Sequence, residues 1–338
     1  MKPSKRLDNK SGCKNFCVTG GAGFIGSYFV KWLDQLKKTG TQIAAIVVYD
    51  KLTYAADLSR LDGANYIFVE GDVCNASHFA DILTKYAITH VVHFAAESHV
   101  DRSISDEMPF IQTNILGTAS VLDATAQHFR QMVDANSNKM FVHISTDEVY
   151  GSILETEIAA DESARLNPSN PYAATKAASD QLVISKMNSE AFRALILRSS
   201  NNFGRFQHRE KLIPKVIDCL SKGMPIPIYG EGRQKRCWLS AQTYSEIIWS
   251  LIEANVVNQV INVRGKEIYS NLELVELIRH KYAKMKGLDI SKVSRIDYVV
   301  DRKYHDFFYH IDDSKLRSLN CYSETYETLE QCLDEMII

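Results

Sequence analysis

Tyr172 and Lys176 are two side chains whose types and spacing suggest chemistry. Residues four positions apart lie on the same face of a helix. An ammonium group beside a phenol favours the phenolate, which would draw the pKa of Tyr172 from about 10 toward neutrality and make it a general base. The same spacing also occurs by chance on an amphipathic helix with a surface lysine, so the prediction depends on the motifs that accompany it.

Asp147 and Glu148 form a neighbouring carboxyl pair that follows Thr146 at the end of an apolar run. Two adjacent carboxyls can act as acid and base if their surroundings separate their pKa values, so that one is protonated and the other ionised. The alternative interpretation is an ordinary charged strand end.

A glycine-rich segment over 20–26 lies between a short apolar run and a helical pattern. Gly21, Gly23 and Gly26 have the G-x-G-x-x-G spacing of a dinucleotide-binding turn, in which backbone approaches a pyrophosphate at a helix N-terminus. Asp50 ends the next apolar run, where a carboxylate accepts the adenosine ribose hydroxyls. Because a 2′-phosphate would meet like charge there, the pattern favours NAD over NADP. The alternative is a plain glycine turn with an exposed or helix-capping Asp50.

Short apolar runs alternate with helical patterns in the first half of the chain, which predicts a Rossmann-type doubly wound parallel sheet of the α/β class. The predicted strands are Asn15–Thr19, Ile43–Tyr49, Tyr66–Val69, His90–Phe94, Phe141–Ser145 and Ala194–Arg198, and the predicted helices include Ser27–Lys38, Ala76–Tyr86 and one beginning near Tyr172. From Lys211 onward the elements are shorter and mixed. We predict a flexible tail over 1–14, an NAD-binding domain over 15–205 and a smaller, mainly substrate-binding lobe over 206–338 that is interleaved with the sheet domain.

The composition excludes several classes of protein. The chain has 338 residues, 45% of them hydrophobic, and a formal net charge of -2, which is too small to gather nucleic acid or an anionic membrane. No apolar run approaches the roughly 18 to 20 residues that span a bilayer. The seven cysteines are scattered and form no C-x-x-C pair, which favours reduced thiols. We therefore predict a cytoplasmic protein with no nucleic-acid or membrane partner.

Longer motifs carry a family resemblance. They are V-T-G-G-A-G-F-I-G (18–26), Y-D-K-L-T-Y-A (49–55), H-F-A-A-E-S-H-V-D-R-S-I (93–104), I-S-T-D-E-V-Y-G (144–151), P-Y-A-A-T-K (171–176), S-N-N-F-G (200–204) and E-K-L-I-P (210–214). With these motifs the chain resembles the extended short-chain dehydrogenase/reductases that act on nucleotide sugars, and within them the dTDP-glucose 4,6-dehydratase branch. Thr146-Asp147-Glu148 discriminates most, since sugar epimerases of the family usually have a small or hydroxyl residue in place of the carboxylates.

The resemblance implies NAD as cofactor and a role for each catalytic residue. Tyr172 would deprotonate the C4 hydroxyl while Lys176 holds the nicotinamide ribose and Thr146 binds the C4 oxygen. Asp147 would then act as acid toward the C6 hydroxyl and Glu148 as base at C5. The implied cofactor site comprises Gly20, Gly23, Phe24, Ile25, Gly26, Asp50, Lys51, Asp72, Val73, Ala95, Ala96, Ser98, Thr113, Tyr172 and Lys176. The implied substrate site comprises Ser98, Thr146, Asn201, Lys211, Leu212, Tyr229 and Arg236, with Arg236 on the diphosphate.

No metal site is expected, since no carboxylate or cysteine spacing near His93 and His99 builds a coordination set. Both histidines are interpreted as structural or loop residues.

The C-terminal part departs from the family pattern. Cys237 stands where the family has the aspartate of Arg-Asp-Trp, residues 241–243 replace the usual carboxylates, and Phe307 and Phe308 replace two arginines. These departures leave the nucleotide base open between dTDP-glucose and UDP-glucose. A UDP-glucose 4,6-dehydratase, a nucleotide-sugar 4-epimerase and a non-catalytic regulatory subunit that binds NAD or a sugar nucleotide remain alternatives. We also expect a homodimer that pairs the helices starting near Thr113 and Tyr172 with their symmetry mates.

Overall fold

A computed structural model describes residues 13–132, 138–154, 156–301, 306–323 and 326–337. The strands are β1 (Lys14–Thr19), β2 (Ile43–Asp50), β3 (Ile67–Glu70), β4 (His90–His93), β5 (Met140–Thr146), β6 (Ala194–Ser199), β7 (Asn201–Phe203), β8 (Ile226–Tyr229), β9 (Lys235–Ser240), β10 (Gln259–Val263), β11 (Glu267–Ser270) and β12 (Ile296–Val299). The α-helices are α1 (Phe24–Lys38), α2 (Ala76–Lys85), α3 (Val100–Ser105), α4 (Met108–Phe110), α5 (Thr118–Gln131), α6 (Pro171–Glu190), α7 (Leu212–Lys222), α8 (Ala241–Glu253), α9 (Asn271–Lys286), α10 (Ser314–Ser318) and α11 (Leu329–Ile337). Short 3-10 helices cover Leu58–Leu61, Asp147–Tyr150 and Ile290–Lys292, and a π-helix over Ile111–Gly117 joins α4 to α5.

The central sheet has seven parallel strands in the order β10-β6-β5-β4-β1-β2-β3. The predicted α/β class and doubly wound parallel sheet are therefore confirmed. Thr19 at the end of β1 is level with Tyr49 in β2 and with His93 in β4. Because neighbouring parallel strands end at the same edge, the segments that follow β1, β2, β4 and β5 meet there.

Helices cover both faces of this sheet. Along β1, Phe16 and Val18 belong to one apolar core, and Cys17 belongs to the other, as the alternation of side chains along a strand requires. The first core is completed by α1 and α8, and the second by α2, α5 and α6. Burial on both faces explains why the strand sequences are almost continuously apolar.

The smaller lobe is mixed, as predicted. One sheet has the order β11-β9-β7, with β11 antiparallel and β7 parallel to β9, and β8 pairs in parallel with β12. Its apolar core contains Phe203, Ile213 and Leu274. β10 also comes from the C-terminal part of the sequence, but it pairs with β6 in the central sheet. The boundary between residues 205 and 206 stays a prediction.

Two local elements differ from the sequence-based expectation. The helix expected to start near Thr113 begins at Met108, and its first turns include the π-helix over 111–117. The wider π turn coincides with Asn114, whose side chain bonds the main chain of Glu97 and donates to Oγ1 of Thr175. Lys14, expected in the tail, belongs to β1 because its N–H donates to the carbonyl of Gln42. The rest of the predicted tail, 1–12, lies outside the described residues.

Across the described ranges, none of the helices combines the length and the apolar character that crossing a bilayer requires.

Candidate active site

A cleft of about 320 Å³ opens at the carboxyl edge of the central sheet. It brings together almost all of the predicted cofactor and catalytic residues. Those that line it are Gly20, Gly23, Phe24, Ile25, Gly26, Asp50, Lys51, Asp72, Val73, Ala95, Ala96, Ser98, Thr113, Thr146, Asp147, Glu148 and Tyr172. Lys176 is buried beside Ile144, which itself lines the cleft. Of the predicted substrate residues, Ser98, Thr146, Asn201 and Lys211 line the cleft.

The glycine-rich turn forms one wall of the cleft. Gly20 has a φ of 68°, and a Cβ there would lie 2.7 Å from the backbone nitrogen of Ala95. Gly23 is the N-cap residue of α1, and no side chain accepts a hydrogen bond from the N–H groups at that helix end. Only glycine at position 20 allows the turn to approach the segment after β4, and the free N–H groups make the helix end suited to an anion.

Asp50 lies at the bottom of the same wall. Its carboxylate accepts N–H groups from Ala22 at 3.0 Å and from Leu52 at 2.9 Å. Burial raises its pKa, although these two hydrogen bonds oppose the shift. Asp50 therefore ties the glycine-rich turn to the end of β2 as well as lining the cleft. The sequence analysis missed this structural role.

Lys51 and Asp72 form an ion pair of 2.7 Å across the mouth of the cleft. The Lys51 side chain is 60% exposed, so water screens the pair and its contribution to stability is small. Although burial opposes the shift, the pKa of Asp72 is lowered by its hydrogen bonds with Lys51 and with the N–H of Cys74. Lys51 and Asp72 thus present opposite charges just after β2 and β3.

Tyr172 behaves differently from the expectation based on Lys176. Burial raises the pKa of the Tyr172 phenol, the charges of Glu148 and Asp147 raise it further, and a hydrogen bond with Thr146 opposes the shift. The net direction is therefore opposite to the predicted shift of the Tyr172 pKa toward neutrality. Lys176 donates a 2.7 Å hydrogen bond to the carbonyl of Ile144, and burial lowers the Lys176 pKa to about 8.

The carboxyl pair sits on the 3-10 turn that follows β5. Asp147 is 2% exposed, and its Oδ2 has no hydrogen-bond partner. Burial and the neighbouring Glu148 charge raise its pKa well above the usual range for aspartate. Burial also raises the pKa of Glu148, but the charges of Arg236 and Lys211 oppose that shift. The surroundings therefore favour a protonated Asp147 beside a Glu148 that is easier to ionise.

Three residues that the sequence analysis did not select contact or surround Glu148. Asn170 donates to its Oε2 at 3.4 Å, and the hydroxyl of Tyr309 lies 3.3 Å from the same oxygen. Tyr309 also donates to Oδ2 of Asp306 at 2.7 Å. Asn170 could have been found from its position before Pro171 at the start of α6. Nothing local in the sequence links Tyr309 to Glu148, because 161 positions separate them.

A buried ionic network supports the floor of the site. Asp180, one turn after Lys176 on α6, pairs with Nε of Arg198 at 2.8 Å. Arg198 also donates to the hydroxyl of Tyr150 at 2.7 Å, which donates in turn to Asn262 at 2.8 Å. Asp180 and Arg198 are almost fully buried, so each charge depends on the other. The network links α6, β6 and β10 to the 3-10 helix over Asp147–Tyr150, which carries the carboxyl pair.

Arg236, Tyr229 and Leu212 are not among the cleft-lining residues of the described chain. Arg236 is buried and donates to the carbonyls of Lys235, Phe307 and Asp306. Its charge nevertheless acts on Asp147 and Glu148. Binding of a diphosphate by Arg236, and contacts of Tyr229 and Leu212 with a sugar nucleotide, stay predictions.

The two histidines interpreted as structural have protein partners. His93 is hydrogen-bonded to the hydroxyls of Thr19 in β1 and Thr118 at the start of α5. His99 caps the start of α3 and lies 3.1 Å from the carboxylate of Glu210. His99 thus joins the segment after β4 to the segment before α7 at the mouth of the cleft.

Comparison with known proteins identifies the family to which the chain is similar. Residues 17–336 match the family described as GDP-mannose 4,6 dehydratase. A curated dTDP-glucose 4,6-dehydratase of Haemophilus influenzae is 39% identical over 316 residues, which cover 90% of this chain and 91% of that protein.

Solved structures give the same picture. The fold is similar to that of a dTDP-glucose 4,6-dehydratase from Streptomyces venezuelae with NAD bound, with a TM-score of 0.85, 34% identity, and coverage of 96% of this chain and 95% of the other. A dTDP-glucose 4,6-dehydratase from Bacillus anthracis in complex with NAD is similar at a TM-score of 0.82 and 31% identity, with 96% of each chain covered.

Proposed function

The chain belongs to the GDP-mannose 4,6-dehydratase family, and on that premise we propose that it is an NAD-dependent dTDP-glucose 4,6-dehydratase, a hydro-lyase. One observation carries the proposal: a carboxyl pair, the buried Asp147 and the half-buried Glu148, lies with Tyr172 in a cleft that begins at a dinucleotide-type glycine turn. The relatives named above are described as dTDP-glucose 4,6-dehydratases, and we take the proposed substrate, dTDP-glucose, from those descriptions.

The residues present fit NAD. A Cβ at Gly20 would fill the space against Ala95, and the N-terminus of α1 offers N–H groups to a pyrophosphate. Asp50 keeps a carboxylate in the cleft where a ribose hydroxyl could donate to it. When bound, NAD would supply an acceptor that takes a hydride from the sugar and returns it.

Tyr172 is the group proposed to take the proton of the C4 hydroxyl. Its hydroxyl is hydrogen-bonded to the side chain of Thr146. The two hydroxyl groups are therefore adjacent, and both could contact the C4 oxygen of the sugar. The high pKa of Tyr172 makes its phenolate a strong base that is present only as a small fraction at neutral pH. The ammonium of Lys176, held by the carbonyl of Ile144, is proposed to favour the phenolate over the phenol by its charge.

Asp147 and Glu148 are proposed to perform the elimination. Asp147, protonated because of its burial, donates to the C6 hydroxyl, which leaves as water. Glu148 removes the C5 proton. The unpartnered Oδ2 of Asp147 supports this role, because a buried carboxyl oxygen without a partner remains available to a substrate. A family member that only inverts C4 has no need of this acid and base.

The cytoplasmic location and the homodimer are part of the proposal. All seven cysteines are free, which suits a reducing compartment. Ile104, Met108 and Leu116 are exposed apolar side chains within residues 100–117, close to where the dimer contact is expected. Light scattering at micromolar concentration is expected to report a dimer, and a monomer mass would remove this part of the proposal.

The deciding experiment incubates purified protein with dTDP-glucose and with UDP-glucose side by side, without added cofactor. We expect a 4-keto-6-deoxy sugar, detected by its absorbance in alkali, from dTDP-glucose. Faster turnover of UDP-glucose would show that the substrate carries uridine instead of thymidine. Formation of an epimer, which does not absorb in alkali, would show that the enzyme is an epimerase and not a dehydratase. Binding of both compounds without any product would indicate a non-catalytic subunit, and release of stoichiometric NADH would exclude return of the hydride.

A further inference from the structure

Tyr309 brings a phenol from the C-terminal part of the chain to Glu148. Its oxygen lies 3.3 Å from Oε2 of Glu148 and 2.7 Å from Oδ2 of Asp306. Tyr309 is 4% exposed and Asp306 is 7% exposed. A single hydroxyl group therefore stands between two carboxyl groups, away from solvent.

Neighbouring groups hold this arrangement in place. The guanidinium of Arg236 lies 4.3 Å from the centre of the Tyr309 ring and donates to the carbonyl of Asp306 at 2.9 Å. Ser169 donates to the same oxygen of Asp306 that Tyr309 contacts. The hydroxyl of Tyr309 is thus fixed by its ring and by Asp306, and not by Glu148 alone.

The number of protons distinguishes two states of Glu148. A phenol has one hydrogen to donate, and an ionised carboxylate has none. When Glu148 is ionised, the Tyr309 hydrogen points to the shorter contact with Asp306, and the contact with Glu148 lacks a hydrogen. When Glu148 is protonated, it donates to Tyr309 while Tyr309 donates to Asp306, so both contacts are hydrogen bonds.

We propose that Tyr309, oriented by Asp306, is a positioning residue that stabilises the protonated form of Glu148 and so makes Glu148 a stronger base toward C5 of the sugar. The role in catalysis rests on the proposed function, whereas the effect on Glu148 itself needs no substrate. In the step concerned, the C5–H bond breaks and its proton goes to Glu148. The electron pair forms the C5–C6 double bond as the C6–O bond breaks, and water leaves with the proton from Asp147. Tyr309 keeps its own hydrogen.

Other charged groups also face Glu148 and remain in place in the variants that test the proposal. Burial raises the Glu148 pKa, the charges of Arg236 and Lys211 lower it, and the charge of Asp306 raises it. Asp147 precedes Glu148 in the chain, and Tyr172 faces the pair from α6. Replacing Asp306 or Tyr309 therefore changes the interaction in question while the two cations and the neighbouring acid stay.

The test compares Asp306→Asn and Tyr309→Phe with the matched control Tyr298→Phe, a change of the same kind at an exposed residue of β12. The protonated carboxyl band of Glu148, assigned by its loss in Glu148→Gln, is titrated by infrared spectroscopy of the purified protein. We expect the apparent pKa of Glu148 to fall by about one unit in both variants and to stay at the wild-type value in the control.

Kinetics supply the second readout. With dTDP-glucose, the acidic limb of kcat against pH is expected to move to lower pH in both variants, and the plateau to fall on the order of tenfold because a weaker base removes the C5 proton more slowly. NAD binding should be unchanged. If Glu148 titrates as in the wild type in both variants, the proposal is overturned. Asp306→Asn keeps the phenol and the local volume, but it also removes a charge that itself raises the Glu148 pKa. An unchanged Glu148 titration in Asp306→Asn therefore overturns the proposal even if Tyr309→Phe does not fold, whereas the fall that supports the role of Tyr309 is the one in Tyr309→Phe. If the wild-type protein makes no product, the proposed function is overturned. The effect of Tyr309 on the Glu148 pKa is then still tested by the infrared titration, which needs no substrate.

Discussion

The ammonium of Lys176 donates a 2.7 Å hydrogen bond to the main-chain carbonyl of Ile144, thirty-two positions earlier in the chain. The bond joins α6, which carries Tyr172, to β5, which leads into Thr146 and the carboxyl pair. Lys176 therefore holds the base and the acid–base pair at a set separation, in addition to supplying a positive charge.

Lys176→Met is expected to slow the oxidation of C4, on the order of 10² to 10⁴ fold, because it removes both the charge and this hydrogen bond. The measurement is NADH formation in a single-turnover mix with dTDP-glucose. Lys186→Met, on the same helix but paired with the exposed Asp123, is the control and should retain the wild-type rate. Equal rates for both variants would show that Lys176 has no part in the oxidation.

The oxidation rate is expected to depend on pH through Tyr172 and Lys176. The raised pKa of Tyr172 means that the reactive phenolate increases with pH, by about tenfold for each pH unit below that pKa. Lys176, whose pKa burial lowers to about 8, loses its charge above that pH. The single-turnover rate should therefore rise toward pH 8 and then level off or fall. Tyr172→Phe should bind NAD and give a low rate without this rise, whereas a flat wild-type profile would contradict the assignment.

The double variant Asp147→Asn with Glu148→Gln is expected to oxidise C4 and then stop. The amides keep the volume of the carboxyls but cannot transfer the protons of elimination, which contribute on the order of 10² to 10⁴ in rate. Enzyme-bound NADH should then accumulate to about one per site, because the acceptor for the returning hydride never forms, and the C5 hydrogen should not exchange with deuterium. Product formation near the wild-type rate would show that Asp147 and Glu148 take no part in the elimination and are only charged residues at a strand end.

Asp50→Asn is expected to weaken NAD binding about tenfold, since the amide has one acceptor oxygen where the carboxylate accepts two N–H groups from Ala22 and Leu52. Isothermal titration with NAD measures the change. Asp81→Asn, at an exposed position of α2, is the matched control and should bind as the wild type does. NAD affinity equal in both variants would leave Asp50 without a role in the site.

Asp180→Asn is expected to lower the free energy of unfolding by about 3 to 5 kcal/mol, because it leaves the buried charge of Arg198 without its partner. Urea denaturation followed by circular dichroism measures the loss. Asp123→Asn breaks an exposed ion pair with Lys186 and should have little effect. A similarly small effect for Asp180→Asn would mean that the network adds nothing to stability.

The sequence alone determined the features that depend on neighbours in the chain. The glycine-rich turn, the strand ends at Asp50 and Thr146, and the placement of Tyr172 and Lys176 on one helix face could all be predicted, because apolar runs set the strands and a four-residue spacing sets a helix face. Six of the seven strands of the central sheet were predicted for the same reason, whereas β10, which joins the sheet from the C-terminal part of the chain, was not. The cleft at the carboxyl edge follows from parallel pairing.

Only the tertiary structure decided the electrostatics and the contacts between distant segments. The pKa of Tyr172 rises because folding buries it and brings the charges of Glu148 and Asp147 near it. Tyr309 and Asp306 reach Glu148 from the far end of the chain, and Arg236 turns its donors to main-chain carbonyls. Burial and contacts between residues more than a hundred positions apart arise when lobes pack together, so no local pattern in the sequence contains them.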